Sequence, residues 1–479
     1  MRTAKITILD EVNILIGGVN PDTTKKIRDH LTHYVPGYRF MPKYKMGWWD
    51  GTICLMTESG KTRLGHLPDI LPILEKAGYG VNLVDKRKDW SHIAEQITLV
   101  DENVHEGLFW AKNGKPVVLR DYQVEAVNTS LQAGGGIMEL ATAGGKSITC
   151  ATIAKKYAPF GYVVVIVPTI QLALQTRSTF RDAGIDAGIW YGGEHDRKQV
   201  TLSTWQSLDH YEELMEGVVC VIVDECQGVS GKTLDSILSG SGKNVPFRYG
   251  CTGSLPESVL FQKQIKSVLG PVMFELPAWK LQKRGVLAQS IIHQIEIDDK
   301  SQKEWKYYTR TNDERTWDDD LKWMMGNEER VRVIADMIQI ISQTGPSLVL
   351  VSRKEFGKTL ERSIPGSIYM DGDVNAKIRD EVFREFNGYE QGTLICTDGI
   401  AAVGIDIPLL ANVIPIELGK QFVKIMQVIG RGLRKEGEKT HVEIWDFHSN
   451  DGFSASHAKE RQRLYRKAKQ QYDETKIGY

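Results

Sequence analysis

Two tandem α/β domains, each built on a parallel sheet and preceded by a small α+β domain, are the architecture the sequence predicts. Three observations carry it. At 479 residues the chain exceeds what one hydrophobic core normally serves. From residue 113 onward, short β-branched runs alternate with longer helical patterns, as in βαβ units around a parallel sheet. The alternation pauses between residues 275 and 345 and then restarts, which divides it into two blocks of similar size. The expected limits are 1–112 for the small domain, 113–283 and 284–455 for the two α/β domains, and 456–479 for a basic C-terminal helix.

Within the first 112 residues the pattern is one of short strands around a Pro/Gly-punctuated aromatic stretch, with no phosphate-loop signal. The first α/β block then offers GGIMEL (135–140), YVVVIVP (162–168) and VVCVIVDE (218–225) as strands. The second offers PSLVLVS (346–352), GTLICT (392–397) and HVEIWDF (441–447). Such near-continuous apolar runs suit strands covered on both faces. Between the blocks, residues 305–345 read as a polar helix followed by an amphipathic one. Near the end, HAKERQRLYRKAK (457–469) sets six Lys/Arg against one Glu on a helical pattern, which suits either a solvated helix or a nucleic-acid clamp.

Composition is that of an ordinary globular chain, with 41% hydrophobic and 25% charged residues. The net charge is −1, so a polyanion would have to be held by local patches and not by a global field. The six cysteines are scattered and none has C-x-x-C spacing, which suits core thiols in a reducing compartment better than a zinc site. No stretch resembles a signal peptide or reaches the ~20 apolar residues of a membrane span. A soluble cytoplasmic monomer is expected.

The chemistry is concentrated in ELATAGGKSIT, Glu139 to Thr149. The strict phosphate-loop pattern requires glycine where Leu140 stands, yet the loop follows an apolar strand and precedes the helical run SITCATIAKKYA. Strand, loop and helix are the required context. Gly144 and Gly145 free backbone N–H groups at a helix start, Lys146 can reach the outer phosphates, and the Ser147 hydroxyl suits Mg²⁺. About 80 residues later VIVDE (221–225) ends an apolar strand with two adjacent carboxylates, which a buried strand does not carry without a partner. Mg²⁺ held by Asp224 and a water polarised by Glu225 would supply it.

In that order the motifs resemble those of superfamily 2 helicases over about 340 residues. LRDYQ (119–123) is similar to the Q motif, which implies that Arg120 and Gln123 read adenine. ATAGGKS (141–147) resembles motif I, with Ala143 where many members have glycine. VPTIQLALQ (167–175) and STWQ (203–206) resemble motifs Ia and Ic, DECQ (224–227) motif II with Gln227 in place of the usual histidine, and CTGS (251–254) motif III. In the second block VSRKE (351–355) resembles motif IV, CTDGIAAVGIDIP (396–408) motif V, and QVIGRGLR (427–434) motif VI. The resemblance implies two RecA-like domains, ATP and Mg²⁺ as cofactors, Gly404 and Asp406 near the nucleotide, and Gln427, Arg431 and Arg434 in catalysis. Arg431 and Arg434 lie three apart on one helical face, so both can approach one anion. Within the superfamily, YRFMPKYKMGWWDG (38–51) and the alanine variant of motif I resemble the phage UvsW-type branch-migration helicases. A phage origin would put the protein in the host cytoplasm.

A motor on nucleic acid needs contacts to the sugar-phosphate backbone, and Thr169, Thr204, Ser352, Arg353 and Thr397 stand at predicted strand ends in the matched motifs. Each also suits a helix cap or turn. In residues 38–51, Arg39, Lys43 and Lys45 alternate with aromatic rings including Trp48, which suits a duplex end or junction, whereas Trp49 suits the small domain's core. The expected activity is ATP-driven unwinding or branch migration of single-stranded, forked or four-way-junction DNA in recombination, repair or replication restart. The alternatives are an RNA helicase of the same fold, a non-translocating phosphate-loop kinase or switch, and a non-catalytic binding module. Residues 427–434 count against the kinase, and Lys146 with Asp224 and Glu225 against the module.

Overall fold

The computed structural model describes residues 2–106, 115–207, 211–312, 314–400, 407, 409–419 and 441–479. The chain packs as two compact units, one of Met1–Leu140 with Gly145–Glu275, the other of Ala141–Gly144 with Leu276–Tyr479.

The first unit opens with strands β1 (Arg2–Ile8), β2 (Asn13–Gly17), β3 (Thr32–Tyr34), β4 (Thr52–Cys54), β5 (Lys61–Arg63) and β6 (Tyr79–Asp85). Four of them form a sheet in the order β5-β2-β1-β6. Alternation along β1 turns Ala4, Ile6 and Ile8 to one face, where they pack with Ile27 of helix Pro21–His30 and with Ile70 and Leu74 of helix Leu67–Lys76. The remaining pair, β3 and β4, runs antiparallel and frames residues 35–51.

The same unit contains an eight-stranded sheet. Its strands are β7 (Gly135–Leu140), β8 (Tyr162–Val167), β9 (Gly188–Tyr191), β10 (Glu194–Asp196), β11 (Val200–Thr204), β12 (Val218–Asp224), β13 (Phe247–Thr252) and β14 (Val272–Leu276), in the order β10-β9-β11-β8-β12-β13-β7-β14. The β-branched runs read from the sequence are its buried centre: every residue of β12 is buried, and Ile137, Val164, Ile166, Val221 and Val223 share one core. The small sheet docks here. The turn Leu64–His66 lies so close to helix Val259–Leu269 that a Cβ on Gly65 would come within 2.6 Å of Ser267 Cα. Arg63 pairs with Asp235 at 3.2 Å and Lys263 with Asp69 at 2.8 Å. Composition separates these two domains, whereas packing joins them in one unit.

The second unit has a seven-stranded sheet of β15 (Gln289–Ile297), β16 (Pro346–Val351), β17 (Ile368–Met370), β18 (Gly392–Thr397), β19 (Asn412–Ile416), β20 (His441–Ser449) and β21 (Gln471–Ile477), ordered β17-β18-β16-β19-β20-β15-β21. The pairs β16–β18, β16–β19 and β15–β20 are parallel. Ile334, Ile338 and Ile341 of helix Glu328–Ser342 pack on Val349, Ile395 and Ile414. Two elements differ from the sequence expectation. β15 falls inside the apparent pause, because Gln294 is buried but polar and bonds Asp446 at 3.2 Å. The C-terminal segment is a helix, Gly452–Lys467, followed by β21 as an edge strand on β15, so it completes this sheet. Among the described residues no helix is long and apolar enough to cross a membrane.

Candidate functional site

The loop between β7 and helix Lys146–Tyr157 owes its path to three backbone positions. Ala143 lies in the left-handed region at φ +61°, where a side chain costs about 1 kcal/mol and glycine costs nothing. Gly144 N–H donates to the Ala141 carbonyl at 2.9 Å and closes the turn. Gly145, at φ +89°, is the N-cap of the helix, and a Cβ there would collide with the Gln123 side-chain nitrogen. Gln123 is itself buried, and its Oε1 accepts the Arg120 backbone N–H at 2.9 Å. The two residues expected at the adenine are thus one capping box, with Gln123 against the loop and the Arg120 guanidinium bonded to the Tyr122 hydroxyl at 2.8 Å.

Lys146 stands at the first turn of that helix with Ser147 beside it, where unpaired N–H groups and the helix dipole favour an anion. Its Nζ lies 3.1 Å from Glu225 Oε1. Burial opposes the lysine's charge, but the Glu225 and Asp224 carboxylates outweigh it and raise its pKa. Asp224 ends β12, is 6% exposed, and accepts the Glu225 N–H at 2.9 Å. Glu225 is the second non-glycine residue in the left-handed region here, at φ +50°. That conformation turns its carboxylate back toward Lys146. Its other oxygen accepts from Gln227 Nε2 at 2.8 Å, and Gln227 Oε1 accepts from Thr252 Oγ1 at 2.6 Å. Lys146, Glu225, Gln227 and Thr252 therefore form one hydrogen-bonded line from the first motif to the third. Beneath it, Cys150 and Cys251 approach to 3.2 Å between sulfurs, and the hydrogen bond between them with burial raises the Cys150 thiol pKa.

The strand-end residues group in pairs. Thr204 is in register with Val167, so it emerges beside Thr169 at the carboxyl edge of the first unit's sheet. Thr169 caps helix Ile170–Asp182, accepting from Leu172 N–H at 3.2 Å, and Thr204 bonds Ser207 at 3.2 Å. In the second unit Thr397 is in register with Val351, beside Ser352 and Arg353. Ser352 Oγ is buried without a hydrogen-bond partner among the described residues, and Arg353 pairs with Asp318. Gly404, Asp406, Gln427, Arg431 and Arg434 lie outside the described residues.

Residues 35–51 make a compact knob between β3 and β4. Tyr38 stacks on Tyr34 at 4.7 Å and meets Tyr44 edge-on at 4.8 Å, while Trp49 turns inward and donates to the Thr52 carbonyl at 2.7 Å. Trp48 is 77% and Phe40 81% exposed, beside exposed Arg39, Lys43 and Lys45. Arg39 bonds the Tyr38 hydroxyl at 3.2 Å. Rings left in solvent beside cations are unusual for a folded monomer and mark a contact surface.

Sequence reasoning missed Thr252 and the bridging role of Gln227. The one available signal was the departure at Gln227 itself, since an amide offers a donor and an acceptor at once.

Comparison with known proteins follows the same segments. Residues 5–85 match the family model of the N-terminal domain of DNA helicase UvsW, residues 116–248 that of the type III restriction enzyme res subunit, and residues 329–436 the helicase conserved C-terminal domain. The chain is 25% identical over 457 residues to the ATP-dependent DNA helicase UvsW of Enterobacteria phage T4, covering 90% of this chain and 88% of that protein. It is 31% identical over 182 residues to the DNA 3'-5' translocase XPB2 of Sulfurisphaera tokodaii, covering 36% of this chain and 39% of the other. In fold it is similar to the ATP-dependent Type ISP restriction-modification enzyme LlaBIII bound to DNA, with TM-score 0.58 and 15% identity over 86% of this chain and 36% of that one. A UvsW-type N-terminal domain followed by the two domains of an ATP-dependent superfamily 2 helicase is what this chain carries.

Proposed function

We propose that the protein is an ATP-driven DNA motor that unwinds or branch-migrates forked and four-way-junction DNA. The observation that carries the reading is the line Lys146–Glu225–Gln227–Thr252 at the carboxyl edge of a parallel sheet, where such sheets bind ligands. In this reading Gly144, Gly145 and Lys146 hold the phosphates and Arg120 and Gln123 the adenine. Ser147 and Asp224 offer hard oxygen donors, a set that fits Mg²⁺. When bound, that ion would neutralise charge on the β- and γ-phosphates.

Glu225 accepts the proton of the attacking water. Before it does so, ATP must draw Lys146 away, because the lysine is bonded to the same carboxylate. Gln227 holds the second Glu225 oxygen and so keeps the first aimed. Arg431 and Arg434 stabilise charge on the transferred phosphoryl group, supported by Gln427, Gly404 and Asp406. Thr169, Thr204, Ser352, Arg353 and Thr397 contact the backbone of one strand, and Arg39, Lys43, Lys45 and Trp48 hold the branch.

The test is ATP turnover without nucleic acid and then with single-stranded DNA, duplex, a four-way junction or RNA. Stimulation by branched and single-stranded DNA is expected, with Glu225→Gln binding ATP but not hydrolysing it. Stimulation by RNA alone would make it an RNA helicase of the same fold. Turnover indifferent to every nucleic acid would sink the motor reading.

A further inference from the structure

Two arginines of the second unit are buried, and the chemistry above uses neither. Arg330, on helix Glu328–Ser342, is 0% exposed and bridges two carboxylates, Asp299 at 3.1 Å and Glu417 at 2.5 Å. Arg461, on helix Gly452–Lys467, forks onto Asp446 with two bonds of 2.9 Å, and its third nitrogen donates to the Gly419 carbonyl. Ser454 of the same helix donates to the other Glu417 oxygen. Burial opposes charge on both arginines, but Asp446 outweighs it for Arg461, and Asp299 with Glu417 for Arg330, so both remain cationic.

Both clusters converge on residues 417–419. Buried ion pairs commonly contribute less stability than apolar side chains of equal volume, so stability is a poor reason for two of them to meet at one short loop. Position is a better one. The loop leaves the carboxyl end of β19, and Glu417 is held there in the left-handed region at φ +48°, which is costly for a residue with a side chain. Gly419 also lies against the Trp317 and His457 rings. The next stretch of sequence carries QVIGRGLR.

We infer that Arg330 and Arg461 are positioning residues for ATP hydrolysis, which fix Glu417 and the Gly419 carbonyl and so set where the chain departs toward Arg431 and Arg434. The inference rests on the reading of those two arginines as partners of the transferred phosphate. Neither Arg330 nor Arg461 touches substrate.

Arg461→Lys keeps a cation beside Asp446 but lacks the nitrogen that reaches Gly419. Its melting temperature should stay close to that of the parent, while kcat for ATP with single-stranded DNA falls about tenfold and KM holds. Added to Arg434→Ala, it should slow the enzyme no further, because both changes disable one device. Full kcat in folded Arg461→Lys, or losses that multiply in the double variant, would overturn the inference while a slow Arg434→Ala left the finger reading standing. A normal rate for Arg434→Ala would overturn that reading itself. Should Arg461→Lys not fold, Ser454→Ala removes a single bond to Glu417 and carries the same comparison with the same two outcomes.

Discussion

Gln227 joins two motifs through one amide, donating to Glu225 at 2.8 Å and accepting from Thr252 at 2.6 Å. Gln227→Leu keeps the side chain's bulk and removes both bonds, which frees the Glu225 carboxylate to rotate and leaves Thr252 bonded to the Ser254 carbonyl alone. The expected result is a kcat for ATP lower by about 10-fold with little change in KM, because the lost bond aims a group that acts in the transition state. Steady-state kinetics on the folded variant decides it, and an unchanged kcat would make the bridge structural. Lys146, Asp224 and Glu225 were legible in the sequence because each is marked by its immediate neighbours, a Gly-rich turn or an apolar strand. The bridge to Thr252 was not. Its ends are 25 residues apart and meet only because β12 and β13 pair with Asp224 opposite Cys251.

Thr169 shows the same ambiguity one level up, as the end of one helix and a candidate contact on the nucleic-acid track. Its hydroxyl satisfies the Leu172 N–H at the start of helix Ile170–Asp182. Thr169→Ala should cost about 1 kcal/mol of stability by loss of the cap, and Thr169→Ser should recover most of it. Urea unfolding measures the first effect, and single-strand affinity measured beside it separates the second role: a strand contact predicts weaker binding in Thr169→Ala beyond what unfolding explains. The central strands were legible because continuous β-branched runs have few other uses. β15 and β21 were not, for opposite reasons. β15 carries buried polar residues such as Gln294, 0% exposed, whose partner Asp446 lies 152 residues away. β21 reads QYDETKI, an edge strand mostly in solvent, with no apolar run to announce it.

The first unit as a whole should respond to pH through two buried histidines. Burial, with Lys263 close by, pushes the His66 pKa down to about 4, and burial with Lys155 does the same for His105. An unfolded histidine binds a proton near pH 6.5, so between about 6.5 and 4 only the unfolded chain takes it up. Stability is therefore complete above pH 6.5 and is lost as pH falls toward 4, by up to roughly 3 kcal/mol per histidine. Urea midpoints across that range should fall, and His66→Gln should flatten part of the decline. A profile for the variant parallel to that of the parent would exclude His66 as a source. Neither histidine stood out in the sequence, since burial of an isolated imidazole becomes visible only after the small sheet docks on helix Val259–Leu269.

That docking, with Gly65 pressed on Ser267, has a statistical consequence. A binding module on a flexible tether explores a volume set by its linker, and each double engagement forfeits chain entropy that grows with linker length. Here the knob of residues 35–51 and the loop at Lys146 share one packed body with no such freedom to lose. A branch seated on the knob would meet the motor at an effective concentration fixed by shape alone, so lengthening the chain between the two domains should leave it unchanged as long as the seam stays closed.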